Sequence, residues 1–194
     1  MRKRLLLPCL IIVSALALAA CGSSSDETSK VEEAIETAAT TTDPAACTEV
    51  QTQNFMEQTS QESGKAAVKS CEEEAEKEEN ASAATVANAE VNGSDATAEV
   101  TLSGGKSLSG QTLEVALVKD DDQWKMNEVI KFTKFDHDKL IETFAREING
   151  SPEGSSKFAT CFLKTFEEAN QAEVEELLFH SDGKGFEEIA KECS

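Results

Sequence analysis

The chain is short of positive charge. Its 194 residues carry 18 Lys and Arg against 37 Asp and Glu, a formal net charge of −19. Binding DNA or RNA needs a basic face to neutralise phosphates, and peripheral adhesion to anionic lipid needs Lys/Arg clusters. The composition argues against both, and no nucleic-acid partner is expected. Tyrosine is absent, and His137 and His180 are the only imidazoles. Two of the common acid–base side chains are therefore missing before residue 136. Apolar runs after residue 20 are only a few residues long, so none reads as a transmembrane span. There is no CxxC pair, and both histidines lie away from any pair of cysteines, which argues against zinc. No GxSxG marks a serine nucleophile. Asp120-Asp121-Asp122 lacks the spacing and terminal Glu of a calcium loop and reads as a turn. Neither a metal nor a cofactor is expected.

What is present starts at the N-terminus. Arg2, Lys3 and Arg4 precede an apolar run, Leu5 to Leu18, interrupted by Pro8 and Ser14 and too short to span comfortably as a permanent helix. It ends in Leu18-Ala19-Ala20-Cys21, followed by Gly22-Ser23-Ser24-Ser25. This pattern resembles a bacterial lipoprotein signal. The resemblance implies removal of residues 1–20 as a signal peptide and a thioether-linked diacylglycerol on Cys21, the new N-terminus. Loss of residues 1–20 lowers the basic count from 18 to 15 against 37 acidic groups, a formal charge of −22. Each buried methylene contributes about 0.8 kcal/mol, so two or three acyl chains hold a body at the membrane almost permanently. The expected location is the extracytoplasmic face of a cell membrane. Residues 21–27 read as the lipidated Cys and a flexible tether, small and polar as far as Lys30.

Cysteine usage agrees with export. Cys9 lies in the discarded segment and Cys21 carries the lipid, which leaves Cys47, Cys71, Cys161 and Cys193. Four cysteines in an exported chain suggest two disulfides in one of three connectivities. Sequence proximity and the domain division below favour Cys47–Cys71 and Cys161–Cys193, each worth about 3 to 4 kcal/mol by loop-closure entropy.

The body from residue 28 begins helical, with Val31, Ala34, Ile35 and Ala38 at three- and four-residue spacing. Asp43-Pro44 restarts a helix with a capping residue and a proline at its first position. A third helix runs from about Gly64 to Glu79 and places Val68, Cys71 and Ala75 on one side; its EEEAEKEE run reads as a solvated face. After Asn80 the period becomes two. Residues 83–91, 96–102, 108–118 and 123–132 read as strands, separated by Asn92-Gly93, Gly104-Gly105 and Asp120–Asp122. The fold class is α+β: three N-terminal helices packed on a four-stranded antiparallel meander.

This order, with Cys47 and Cys71 on helices and Val118 to Lys125 closing the meander in Trp124-Lys125, resembles the nuclear transport factor 2-like superfamily of cystatin-like cones. It is similar to small exported actinobacterial-type lipoproteins of that fold. The matching stretch is residues 28–134. The resemblance implies a pocket between a curved sheet and the helices that takes a protein partner or a small apolar ligand. Some members of that superfamily are isomerases or dehydratases, so the alternative is an enzyme using a buried carboxylate. The strand residues Glu90, Glu99, Glu114 and Glu128 are the candidates, but their alternation with apolar neighbours points them to solvent. With Tyr absent and no His before residue 136, the leading expectation is a non-catalytic binding protein.

Residues 135–194 return to helical spacing. Leu140, Ile141, Phe144 and Ile148 form one stripe, Phe158, Cys161, Phe162 and Phe166 another. Val174, Leu177 and Leu178 make a third, and Phe186, Ile189, Ala190 and Cys193 a fourth. Six of the nine Phe lie past residue 136, which suggests a small helical subdomain with its own aromatic core. In Asp136-His137-Asp138 an acidic residue reads as a helix cap, and His180 as a residue complementing a helix C-terminus.

Overall fold

The computed structural model describes residues 24–77, 80–105, 108–150, 157–181 and 184–193. Four helices come first: α1 (Ser24–Thr40), α2 (Ala46–Val50), α3 (Gln53–Ser60) and α4 (Lys65–Glu76). Four strands follow: β1 (Ala83–Asn92), β2 (Asp95–Ser103), β3 (Thr112–Asp120) and β4 (Gln123–Lys134). The chain ends in α5 (His137–Gly150), α6 (Lys157–Glu168), α7 (Gln171–Glu175) and α8 (Lys184–Glu192), with α7 running on into a π-helical turn, Glu176–His180. The strands form one antiparallel sheet in the order β1-β2-β3-β4, so the chain is α+β around a four-stranded meander.

Alternation decides which face of the sheet is buried. Ala96, Ala98 and Val100 pair with Leu117, Val115 and Leu113, and all six are buried, while Thr97, Glu99, Glu114 and Ala116 between them are half-exposed. The hairpins close where the backbone can turn tightly. Gly93 has φ +68°, and Asp121 and Asp122 have φ +48° and +64°, the sign pattern that matches a two-residue turn to strand twist. β3 starts at Thr112 rather than at 108. The Gly110 N–H donates to the Leu102 carbonyl and the Gln111 N–H to the Leu108 carbonyl, so Leu108 to Gly110 form a turn.

Among the described residues four helices, not three, precede the sheet. The sequence around α3, QNFMEQTS, shows no apolar stripe, and α3 is held by its surroundings instead. Thr52 Oγ1 accepts from the Phe55 N–H as an N-cap, and Met56 is buried. α1 also starts earlier than a flexible tether over 21–27 allows, because the chain is helical from Ser24. Asp26 and Glu27 in its first turn complement the helix dipole, and Glu27 is fastened to the β3–β4 hairpin. Residues 1–20 and Cys21 lie outside the described residues.

The C-terminal helices do not own a separate core. The buried residues Phe144, Phe166, Val174, Phe179 and Ile189 belong to one apolar cluster with Val31 and Ile35 of α1 and Leu113 to Phe132 of the sheet. Phe132 of β4 meets Phe179 at 5.1 Å between ring centroids. Helices apolar enough to make an aromatic core bury more area by also covering the sheet.

Polar side chains complete the joint along β4, an edge strand of the sheet. Gln58 Nε2 donates to the carbonyls of Val129 and Phe179, both at 2.9 Å, while its Oε1 accepts from the Val129 N–H at 2.7 Å. Gln61 Nε2 donates to the Leu178 carbonyl at 3.0 Å. Glu175 accepts from the Phe132 N–H, Gln171 donates to the Phe132 carbonyl, and Asn54 donates to the Asn127 carbonyl. The carbonyls of Leu178 and Phe179 close a helix end, where backbone acceptors lack intrahelical donors, and Gln58 of α3 and its C-cap residue Gln61 supply those donors.

Candidate functional site

Both expected disulfides are present, Cys47–Cys71 and Cys161–Cys193. The first ties α2 to α4 beside a small cluster of Cys47, Met56 and Ala67, and the second ties α6 to the end of the chain beyond α8. Asp136 Oδ1 accepts from the Lys139 N–H at 3.0 Å, which makes it the cap of α5. His137 contacts the Phe166 carbonyl through Nε2 at 2.8 Å. His180 stands exposed at the end of the π turn. Among the described residues no group of three or more His, Cys, Asp or Glu side chains is placed to hold a metal ion, and no helix is long and apolar enough to cross a membrane.

Two concavities lie against the helices, and a third of about 290 Å³, more open, is lined by Gln51, Met56, Asp120 and Lys125 among others. The first, about 300 Å³, lies between the buried face of the sheet and helices α1, α3 and α4; Ile35, Phe55, Val100, Leu113 and Met126 contribute to its lining. The second, about 330 Å³, lies between α3 and the C-terminal helices, lined by Phe144, Ile148, Phe162, Leu178, Phe179 and Phe186 among others. Thr59 and Leu108 belong to both linings. Each volume is at the lower end of small-molecule sites, roughly 300 to 1,000 Å³, and each wall is predominantly apolar, the usual composition of such sites.

The polar groups on these walls are few. Gln51 is 7% exposed. Its Nε2 lies 3.5 Å from the Ala38 carbonyl, the far limit of a hydrogen bond, and its Oε1 lies 3.5 Å from Cys71 Sγ. That sulfur is oxidised to the disulfide and has no proton to donate. The amide is thus buried with weak hydrogen bonding. Among the described residues, Glu74 is the one charged side chain on the first lining and Glu147 the one on the second. Glu90, Glu99, Glu114 and Glu128 line neither chamber. Glu114 pairs instead with Lys131 at 2.9 Å, and Glu99 accepts from Asn88 Nδ2. Gln51 and Glu74 sit in polar stretches of sequence with nothing in their spacing to single them out; only the fold brings them to the chamber.

A charge cluster closes the start of α1. Glu27 accepts from Lys119 Nζ at 2.8 Å, from Lys30 Nζ at 2.8 Å and from Trp124 Nε1 at 3.0 Å. The Lys119 bond first, then those of Lys30 and Trp124, hold its carboxyl down to about 2. Glu27 in turn raises the ammonium groups of Lys119 and Lys30 above the usual lysine range. Trp124 is buried, with Lys119 Nζ 5.9 Å from its ring centroid. Trp124 of β4 and Lys119 of β3 therefore fasten α1 to the hairpin, while Lys125, the lysine of the Trp-Lys element, pairs with Asp120 at 3.1 Å within the hairpin.

Compared with known proteins, the chain matches no family model, no curated protein and no solved structure.

Proposed function

We propose that the protein is a lipid-anchored, extracytoplasmic cell-envelope protein whose body holds a small apolar ligand without transforming it. The observation that carries the ligand reading is the first chamber, a largely apolar recess of about 300 Å³ between a meander sheet and the helices that precede it. That placement is where a nuclear transport factor 2-like cone keeps its pocket, and it supports assigning residues 28–134 to that type. A concave recess of about 300 Å³ suits a small ligand better than a docked protein, which needs a far broader exposed face. The enzyme alternative depends on an inward carboxylate working with a second acid–base group. The strand carboxylates stand off both linings, and Glu74 is the only titratable side chain among the described residues of the first.

The anchor and the ligand have separate tests. Cys21→Ser is expected to shift the protein out of the detergent phase in phase partitioning and to remove the mass of the acyl chains. Unchanged partitioning and mass would contradict lipidation. For the ligand, the folded body is expected to enhance the fluorescence of N-phenyl-1-naphthylamine, with competition by apolar molecules. A folded body that leaves the dye's emission at its value in buffer would contradict the reading.

A further inference from the structure

We infer that the ligand is an uncharged, chain-like amphiphile. Its single hydrogen-bonding group meets the Gln51 carboxamide in the first chamber, and its apolar tail passes Thr59 and Leu108 into the phenylalanine-lined second chamber. This rests on the ligand-holding reading above and narrows it to one chemical class.

Three observations lead to that class. The first is the state of Gln51, whose amide is more than nine-tenths buried on the chamber wall. It makes one bond at the 3.5 Å limit and faces a disulfide sulfur that cannot donate. Burying an amide this poorly bonded is costly, and a ligand hydroxyl, which both donates and accepts, would satisfy it. The second is charge. Neither lining includes a Lys, Arg or His among the described residues, and the charged side chains that are there, Glu74 and Glu147, are acidic. A carboxylate or phosphate head would meet acidic side chains and no Lys, Arg or His among the described residues of either lining, on a chain already at −19. The third is shape. Two largely apolar volumes of about 300 and 330 Å³ meet at Thr59 and Leu108, which belong to both linings, so a ligand that fills both has to be long and narrow enough to run past these two residues. A flexible chain meets that requirement and a rigid polycycle does not.

The test uses the chain from residue 22 onward, which contains every described element, with its disulfides intact. Hexadecanol, palmitate and hexadecane compete against N-phenyl-1-naphthylamine above pH 8. They share one chain length and differ in the head, so hexadecanol is expected to bind tightest and palmitate about tenfold or more weaker. Gln51→Leu is expected to weaken hexadecanol by roughly 3- to 10-fold, one hydrogen bond, while leaving hexadecane unchanged. Leu178→Trp, which fills part of the second chamber, is expected to erase most of the advantage of hexadecanol over octanol. Palmitate binding as well as hexadecanol, an equal loss for hexadecanol and hexadecane in Gln51→Leu, or an unaltered chain-length preference in Leu178→Trp would each overturn the inference. The ranking of the three heads needs no variant, so it decides the matter even if Gln51→Leu does not fold. If a folded chain binds none of these molecules and no dye, the ligand-holding reading itself falls.

Discussion

Gln58 offers the sharpest test of how the two halves of the chain are joined. It sits on α3, yet its carboxamide makes bonds of 2.9, 2.9 and 2.7 Å to the Val129 carbonyl, the Phe179 carbonyl and the Val129 N–H. Gln58→Leu keeps the size of the side chain and removes all three. At about 1 kcal/mol net per bond, the expected loss is about 3 kcal/mol. Val129 is buried, at 3% exposure, and so is Phe179, so water does not readily replace the lost partners and the figure leans upward. For a urea slope near 2 kcal/mol per molar, the unfolding midpoint should fall by about 1.5 M with the slope unchanged. Native-state hydrogen exchange at the Val129 amide should accelerate in step. Gln58→Glu is the informative companion: it still accepts from the Val129 N–H but sets a carboxylate oxygen against two carbonyl oxygens, so it should recover little of the loss. A Leu variant within about 0.5 kcal/mol of the parent, or a Glu variant as stable as the parent, would refute the idea that this side chain joins the segments.

Three further outcomes follow from the same structure. Cys161 and Cys193 are separated by 32 residues, and replacing both by Ala should cost about 3.7 kcal/mol by loop-closure entropy; Cys47 and Cys71, 24 apart, should cost about 3.5 kcal/mol, and non-reducing peptide mapping should find no crossed linkage. The Glu27 carboxyl is held near 2 in the folded chain against 4.5 ordinarily. Its stabilisation is therefore complete above pH 4.5 and lost as the pH falls toward 2. Urea midpoints of the parent minus those of Glu27→Gln should shrink across that window, and a difference independent of pH would contradict the assignment. Asp122 holds φ +64°, which costs an L-residue backbone energy that glycine avoids, so Asp122→Gly should stabilise by roughly 0.5 kcal/mol in thermal or urea melts.

The sheet was legible because its residues obey a local rule. Ala96, Ala98, Val100, Leu113, Val115 and Leu117 alternate with polar neighbours, and the Gly93 and Asp121–Asp122 turns sit between the runs. The C-terminal helices were legible for the same reason at a period of 3.6. Pairing of the four cysteines followed from proximity. α3 was not legible, because its stability comes from a Thr52 cap and from what it touches on β4 rather than from an apolar stripe. The joint it makes was equally hidden. Gln58, Gln61, Gln171 and Glu175 look like ordinary surface residues in a chain rich in Glu, and their bonds span up to 121 positions of sequence. Gln51 is the same case at the chamber: its type is unremarked in sequence, and only burial beside an oxidised sulfur makes it distinctive.

The saturation of β4 bears on how copies of the protein behave when crowded together. A meander has two outer strands, and each is an invitation to a neighbour's strand. On β4 the Val129 N–H and carbonyl, the Phe132 N–H and carbonyl and the Asn127 carbonyl are already taken by side chains of α3 and α7. A neighbour would have to displace those side chains first. β1 is the other outer strand, and there the pairing slips between Ala87 and Glu90, with Asn88 at φ +53°, a bulge of the kind that spoils a straight edge. A high local concentration is the condition under which open sheet edges polymerise. This fold meets that condition with one edge occupied and the other bent.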